Sequence, residues 1–213
     1  MPRIRWYTIN MVRYIFSAIF GYVVGSLSPS SLVSKMKNKD IRKCGTKNLG
    51  ATNVALNFGK GFGAVVMMLD IAKAFVSFKL IEALFGVGSL AALVAGSAAV
   101  VGHVFPLHHG FRGGKGLASF GGLVLAYDPK IFLFLILTGF ALMLIVNYSF
   151  ILPFYGSLAF PFAVAVRGDG ALAFLVVLSV SALVFVKHYP NMLKAKNGED
   201  KTVREYIRKI SHK

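Results

Sequence analysis

The sequence has few acidic residues and a single cysteine. Of its 213 residues only Cys44 is a cysteine, which excludes an internal disulfide and a cysteine-rich metal site. Asp and Glu total 8, against 24 Lys and Arg, so the formal net charge is +16. The few acids form neither a paired-carboxylate pattern nor a Ser, His and Asp order. A glycosidase or a serine hydrolase is therefore not indicated.

Charged residues of both signs are scarce as well. They make up 15% of the chain, whereas a soluble domain usually carries about 25%. Hydrophobic residues make up 56% of the chain, and the mean hydropathy is +0.66. A nucleic-acid-binding domain is often as basic but not as apolar. We expect a membrane protein whose basic loops face anionic lipids, with no nucleic acid partner.

Apolar segments recur along the whole chain and predict an all-α membrane protein, a compact bundle of about seven transmembrane helices. They lie near residues 11–29, 61–81, 88–107, 116–127, 131–147, 150–166 and 170–186. Several are shorter than the ~20 residues of a straight span, which suits packing inside a bundle. Small residues recur over 88–102 and predict a central helix. We expect one transmembrane catalytic domain over 1–190 and a basic cytoplasmic tail over 191–213.

The distribution of Lys and Arg predicts the orientation in the membrane. Under the seven-span topology, seventeen of these residues lie in residues 35–60, in the 107–116 loop or after residue 186, and six lie on the opposite side. Cytoplasmic loops carry such an excess, so these three regions are expected in the cytoplasm. The N-terminus then lies outside, against the preference of its three arginines. A bacterial inner membrane suits this topology.

A glycine-rich loop, residues 110–116 (Gly-Phe-Arg-Gly-Gly-Lys-Gly), lies between two apolar segments. Glycines bring backbone N–H groups close to an anion, and Arg112 and Lys115 add positive charge. The loop predicts a phosphate site at a membrane face. The alternative is that its two cations only anchor the loop at the lipid–water boundary. The spacing is not that of a Walker-type phosphate loop.

Two other segments join this loop on the expected cytoplasmic face. Residues 44–53 offer backbone amides, hydroxyls and carboxamides for a phosphate or a hydroxyl ligand, although a turn-rich connector has the same composition. His188, where the last span ends, suits a general base, a donor to a leaving group or a helix cap. The histidines near His103 lack Cys, Asp or Glu neighbours, so no metal is expected.

Asp70 and Lys73 lie three residues apart and share one face of the second span. An ionic pair inside a membrane is costly unless it has a partner or a function. The pair is either a structural ion pair or part of the pocket.

Three stretches together resemble the motifs of the bacterial membrane acyl-phosphate:glycerol-3-phosphate acyltransferases. They are Gly45-Thr46-Lys47-Asn48-Leu49-Gly50-Ala51-Thr52-Asn53, then Gly102-His103-Val104-Phe105-Pro106 with Phe111-Arg112-Gly113-Gly114-Lys115-Gly116, and His188 with Asn191. The resemblance covers residues 20–192. It implies a seven-helix enzyme that moves an acyl group from acyl-phosphate to the 1-hydroxyl of glycerol 3-phosphate and gives lysophosphatidate, without a cofactor or metal.

The resemblance also implies the partners, which are the two substrates and membrane lipids, with a functional link to the enzyme that forms acyl-phosphate. We expect a catalytic set of Thr46, Lys115, His188 and Asn191. We expect substrate or phosphate binding by Lys47, Asn48, Gly50, Thr52, Asn53, His103, Arg112, Gly113, Gly114, Gly116 and Ser149.

The chain departs from the family pattern at several positions. Thr46 and Lys47 replace a serine and a glycine, Leu56 replaces an arginine, and Pro190 replaces an acidic residue. The basic residue usually found shortly before Ser149 is also missing. These changes are compatible with a diverged paralogue that uses another acyl acceptor.

A transporter for an anionic phosphorylated metabolite, or a lipid-associated scaffold, are the alternatives from other classes. A transporter requires polar groups through several spans, whereas here the spans are polar at Asp70 and Lys73 and the other polar groups gather at one face. A scaffold needs charge but not the Gly-, Thr- and Asn-rich motif. An interfacial enzyme is therefore favoured.

Overall fold

The computed structural model describes residues 2–200 and 202–205, with side chains from residue 9 onward. Within this part the protein is all-α, as expected, and contains no strand. The helices are α1 (Pro2–Ser26), α2 (Pro29–Met36), α3 (Ala51–Phe58), α4 (Lys60–Phe85), α5 (Leu90–Val104), α6 (Leu117–Tyr127), α7 (Pro129–Val146), α8 (Ile151–Arg167) and α9 (Ala171–Lys196). Single 3₁₀ turns lie at Ile41–Lys43 and Leu107–His109.

Each predicted apolar segment falls largely on one helix, but the helix ends differ. Stretches long and apolar enough to cross a membrane are Ile9–Met36, Leu90–His109, Pro129–Val146 and Ala171–Lys196. Leu117–Tyr127 and Ile151–Arg167 are apolar but shorter. Helix α4 has 26 residues and carries the buried pair Asp70 and Lys73. The number of seven spans stays a prediction.

The chain divides into two compact units, the first ending at Tyr127 and the second beginning at Asp128. The single domain expected over residues 1–190 stays a prediction. Its expected boundary lies inside α9, which continues to Lys196. Residues 201 and 206–213 of the expected basic tail lie outside the described residues.

In the first unit, α1 packs against α5 through glycines. A Cβ on Gly21 would collide with the Ala95 carbonyl oxygen, and one on Gly25 would collide with that of Ala99. No side chain fits at either position, so the two helix backbones are in direct contact. Most of α5 is buried, which confirms the central position predicted from its small residues.

Residues 29–58 form two helices with a hydrophobic core, and not the turn-rich connector that their composition also allowed. They form α2 and α3 around a small hydrophobic core, whose buried members are Val33, Ile41, Leu49, Val54 and Val66. Burial of these side chains outweighs the turn-forming composition of the segment. Part of the first motif, from Ala51, is therefore helical.

The second unit consists of α7, α8 and α9. Asp128 caps α7 by accepting the N–H groups of Lys130 and Ile131, and it also binds Arg167 at 2.9 Å. Helices α8 and α9 are joined by the stacked rings of Phe154 and Phe185, 4.1 Å apart. This contact places the start of α8 and the end of α9 at one end of the unit.

Candidate active site

The first motif is organised by one buried carboxamide, that of Asn53. Its Nδ2 donates to the carbonyl oxygens of Ile41, Cys44 and Asn48 at 3.0 to 3.1 Å. Its Oδ1 accepts the Thr46 N–H at 3.0 Å and a hydrogen of the Asn57 side chain. All polar atoms of this carboxamide are used within the protein, so Asn53 supports the loop. Substrate binding by Asn53 stays a prediction.

This carboxamide shapes the loop so that the neighbouring polar residues face outward. A Cβ on Gly45, whose φ is +53°, would lie 2.5 Å from Asn53 Oδ1. Thr46, Lys47 and Thr52 are exposed, and Asn48 and Gly50 are half-buried. Lys47 adopts a left-handed φ of 57°. The sequence-predicted residues of this motif other than Asn53 therefore lie at the surface of the loop.

A two-pronged ion pair fixes the 3₁₀ turn that precedes this motif. Arg42 Nε donates to Asp40 Oδ1 and Arg42 Nη2 to Asp40 Oδ2, both at 2.9 Å. The side chain and the backbone N–H of Arg42 lower the pKa of the Asp40 carboxyl to about 2. The pair flanks Ile41, whose carbonyl is one of the three that Asn53 holds. It therefore supports the first motif from the solvent side.

The glycine-rich loop folds back over the end of α5. The Gly113 N–H donates to the Val104 carbonyl and the Gly114 N–H to the His103 carbonyl, both at 3.1 Å. These two amides are already bonded within the chain. In this structure their contribution is close packing, and phosphate binding by Gly113 and Gly114 stays a prediction. A Cβ on Gly113 would collide with the His103 carbonyl oxygen.

The cations of this loop lie on either side of the glycine pair. Arg112 is exposed, Lys115 is half-buried, and Gly116 is buried with a left-handed φ of 88° before α6 begins. Guanidinium and ammonium groups at this spacing suit a doubly charged anion such as a phosphate monoester.

Under the glycine loop lies a buried cluster of ionisable side chains. Lys73 Nζ is 2.9 Å from Asp70 Oδ1 and 2.7 Å from His103 Nδ1, and it also donates to the Leu27 carbonyl at 3.1 Å. All three side chains are at most 7% exposed. The pair predicted from the i and i+3 spacing therefore exists, and it has His103 as a third member. No sequence signal other than a histidine in an apolar helix pointed to this contact.

A small recess with a cavity volume of about 10 Å³ opens beside this cluster. Its lining combines the end of α1, the cluster and the glycine loop, and comprises Ser26, Leu27, Ser28, Leu49, Asp70, Lys73, His103, Pro106, Gly113 and Gly114. The recess therefore brings the first and second sequence motifs together within the first unit.

His109 links the second motif to α2. Its Nε2 lies 2.8 Å from Ser31 Oγ, and its ring contacts that of His108. Ser31 in turn bonds Ser28, which lines the recess. The histidine pair therefore ties the start of the glycine loop to the end of the first span.

In the second unit, His188 is buried on α9 with 6% exposure. Its Nδ1 lies 2.9 Å from the Val184 carbonyl oxygen, which only accepts, so Nδ1 carries a proton. In the neutral ring Nε2 is then the proton acceptor. Asn191 follows three residues later on the same helix face, and Ser149 is half-buried in the turn before α8. The turn and the end of α9 are at the same end of the unit.

A family profile described as Glycerol-3-phosphate acyltransferase matches residues 15–198. The chain belongs to the glycerol-3-phosphate acyltransferase family. The matched range contains every residue of the three motifs, the recess and the Asp70, Lys73 and His103 cluster.

Curated family members are similar over nearly their whole length. A glycerol-3-phosphate acyltransferase of Aquifex aeolicus is 30% identical over 189 residues, covering 89% of this chain and 98% of that protein. One of Brucella ovis is 34% identical over 190 residues, covering 89% and 92%.

Two crystal structures of PlsY (YgiH), an integral membrane glycerol 3-phosphate acyltransferase, share the fold. The glycerol 3-phosphate form has a TM-score of 0.82 and the lysphosphatidic acid form one of 0.80. Both are 30% identical, covering 89% of this chain and 94% of the solved chain. Together with its apolar helices, this similarity makes the chain a multi-pass membrane protein.

The departures from the family pattern have defined places in the structure. Leu56 is half-buried on α3, and Lys47 is exposed in the preceding loop. Pro190 lies inside α9, between His188 and Asn191. A proline there removes one N–H from the helix at the turn that carries both residues.

Proposed function

We propose that this family member transfers a fatty acyl group from acyl-phosphate to the 1-hydroxyl of glycerol 3-phosphate. The products are 1-acyl-glycerol 3-phosphate (lysophosphatidate) and inorganic phosphate. The observation that carries the proposal is the glycine loop, which is fixed over His103 by two backbone bonds and carries Arg112 and Lys115. Family membership and the glycerol 3-phosphate form of PlsY support the acceptor.

The proposed reaction needs positioning and charge neutralisation more than a strong base. Acyl-phosphate is a mixed anhydride, so the acceptor hydroxyl adds to its carbonyl carbon and the carbon–oxygen bond to phosphate breaks. The departing phosphate takes the hydroxyl proton, which balances the step. Arg112 and Lys115 offset the charge on the phosphate and on the carbonyl oxygen.

The remaining candidate residues have supporting roles in this proposal. In the first motif, Thr46 and Asn48 orient a phosphate-bearing ligand. Lys47 supplies the positive charge that is missing because Leu56 replaces the arginine of the family pattern. In the second unit, His188 is the candidate acid or base, and Asn191 and Ser149 are candidate substrate ligands. The excess of Lys and Arg supports a cytoplasmic position for these loops at a bacterial inner membrane, with the C-terminus inside.

The proposal is tested with purified protein, palmitoyl-phosphate and labelled glycerol 3-phosphate. We expect labelled lysophosphatidate from the wild type and none from Lys115→Ala, which should insert and purify normally. Lys130→Ala, an exposed lysine at the start of α7, is the matched control and should stay active. Full activity of Lys115→Ala would exclude the phosphate role of this lysine.

Two further assays separate the alternatives. Replacing glycerol 3-phosphate with glycerol or a longer phosphorylated polyol tests for another acceptor, and faster transfer to one of these would reassign the acceptor. Uptake of labelled glycerol 3-phosphate into proteoliposomes without acyl transfer would favour a transporter.

A further inference from the structure

The buried cluster of Asp70, Lys73 and His103 is outside the chemistry proposed above. The Lys73 ammonium has three N–H donors, and each has an acceptor: Asp70 Oδ1 at 2.9 Å, His103 Nδ1 at 2.7 Å and the Leu27 carbonyl at 3.1 Å. A buried ion pair in an apolar helix rarely stabilises a protein more than apolar side chains would. The pair therefore calls for a function.

The position of the His103 ring proton is assigned from its two short contacts and from the fact that an ammonium only donates. Nδ1 is 2.7 Å from Lys73 Nζ but 3.2 Å from Asp70 Oδ1. The shorter contact is a hydrogen bond from the ammonium, so Nδ1 is an acceptor without a proton. The 3.2 Å contact between Nδ1 and Asp70 Oδ1 is then not a hydrogen bond, because both atoms accept from the Lys73 ammonium. In the neutral ring the proton is on Nε2.

The second ring nitrogen faces the glycine loop. A Cβ on Gly114 would collide with His103 Nε2, so only a glycine fits beside this atom. His103, Gly113 and Gly114 line the same recess. Nε2–H thus lies against Gly114, in the loop that carries Arg112 and Lys115, and His103 is one of the residues around the recess.

We propose that Asp70 and Lys73 are positioning residues that keep the proton of His103 on Nε2. The Nε2–H group then donates to an oxygen of the phosphate-bearing substrate that binds at the glycine loop. The Asp70 carboxylate binds the Lys73 ammonium, and the ammonium donates a hydrogen bond to Nδ1 of the His103 ring. Two residues on α4 thereby affect the substrate through a residue on α5. The identity of that substrate rests on the proposed function, whereas the proton assignment does not.

Nitrogen NMR of the full-length, histidine-labelled protein in detergent tests the assignment directly. The His103 signals are identified by their loss in His103→Gln. We expect an unprotonated Nδ1 and a protonated Nε2 in the wild type. In Lys73→Met the two ring nitrogens should exchange roles, with Nδ1–H donating to Asp70 Oδ1. A protonated Nδ1 in the wild type, or an unchanged ring in Lys73→Met, would overturn the proposal.

Two further variants serve as controls. One removes both charges and so avoids an unpaired buried charge, and the other changes a lysine elsewhere on the same helix. Asp70→Asn combined with Lys73→Met leaves no charge on this face of α4, and because the introduced carboxamide can both donate and accept, it should no longer hold the ring in one protonation form. Lys79→Met is the matched control, since Lys79 forms an i,i+3 pair with Glu82 on the same helix but is 41% exposed. It should leave the His103 signals and the activity unchanged.

Kinetics then connects the ring to the substrate. His103→Leu and Lys73→Met should each lower kcat/KM about 100-fold, as loss of one preorganised donor does. His103→Gln keeps a donor near Nε2 and should recover activity to within about tenfold of the wild type, on the same reasoning. Equal losses in His103→Gln and His103→Leu would contradict the donor role. A wild type with no acyl transfer would refute the proposed function, while the NMR result would stand.

Discussion

The side-chain oxygen of Asn53 accepts the backbone N–H of Thr46 at 3.0 Å. This bond fixes a candidate catalytic residue to the first turns of α3. Because the Asn53 side chain also holds three loop carbonyls, the position of Thr46 depends on a residue whose side-chain polar atoms are all bonded within the protein. Asn53, a polar residue within the first motif, therefore supports the loop that carries Thr46.

Replacing Asn53 with alanine should disturb both stability and activity. The variant leaves the carbonyls of Ile41, Cys44 and Asn48 without this donor, and a carbonyl that stays out of contact with water costs about 1–3 kcal/mol. We expect a lower midpoint of thermal unfolding in detergent and at least a tenfold loss of acyl transfer, on the order expected when a catalytic group is misplaced. Asn57→Ala removes only one partner of Asn53 and should have a smaller effect. Equal effects would contradict the central role of Asn53.

Glycine-to-alanine variants should distinguish a glycine that is needed for close packing from one that only makes the unfolded chain more flexible. A Cβ on Gly114 would collide with His103 Nε2, so Gly114→Ala should displace the ring and lower acyl transfer about 100-fold, as for a lost donor. Gly61 has no atom within 4 Å of an added Cβ, and it lies in the first turn of α4. Gly61→Ala should therefore be neutral or stabilising, by up to about 1 kcal/mol. Activity assays and thermal unfolding of the two variants provide the measurement.

Arg112→Lys tests whether a planar guanidinium is needed. An ammonium keeps the charge but loses the two-pronged geometry that matches a phosphate. We expect KM for glycerol 3-phosphate to rise about tenfold, which corresponds to one charge-assisted hydrogen bond. Steady-state kinetics of purified Arg112→Lys and of the control Lys130→Arg would measure this. An unchanged KM in Arg112→Lys would show that charge alone is sufficient.

Stability should fall in acid because of Asp40. The hydrogen bonds from Arg42 hold the pKa of this carboxyl at about 2, below the unfolded value of about 3.9. The unfolded state therefore takes up this proton at a higher pH than the folded state. The contribution is present above about pH 4 and is lost as the pH falls toward 2. Thermal unfolding of Asp40→Asn, which still accepts from Arg42, should lack this part of the pH dependence. Identical profiles for variant and wild type would refute the assignment.

Some features of the fold follow directly from local sequence. The small residues over 88–102 predicted the central helix correctly, because side-chain size alone sets how closely helices approach. The predicted segment at 116–127 agrees with α6 within one residue because Asp128-Pro129 begins the next helix. By contrast, the last segment was ended at residue 186, whereas α9 continues to Lys196. Hydropathy detects the apolar part of a helix and not its polar end.

Other features depend on partners far away in the chain. Helix α3 escaped detection because the Thr and Asn content of residues 44–53 is typical of turns, and only packing of Val54 with Val33 and Ile41 makes the segment helical. The spacing of Asp70 and Lys73 predicted their pairing, but not their contact with His103, 30 residues further on. Composition likewise cannot distinguish a ligand-binding carboxamide from one that organises a loop, as Asn53 does.

The backbone contact between α1 and α5 has a consequence for biogenesis. Helix α1 ends at Ser26, but the surface that receives its glycines is first made when residues 95–104 have been synthesised. Until then the face of α1 that carries Gly21 and Gly25 has no helix to pack against, and it faces lipid or the insertion machinery. Assembly of this unit therefore waits for its fifth helix, and a nascent chain arrested before residue 90 should remain open to proteolysis.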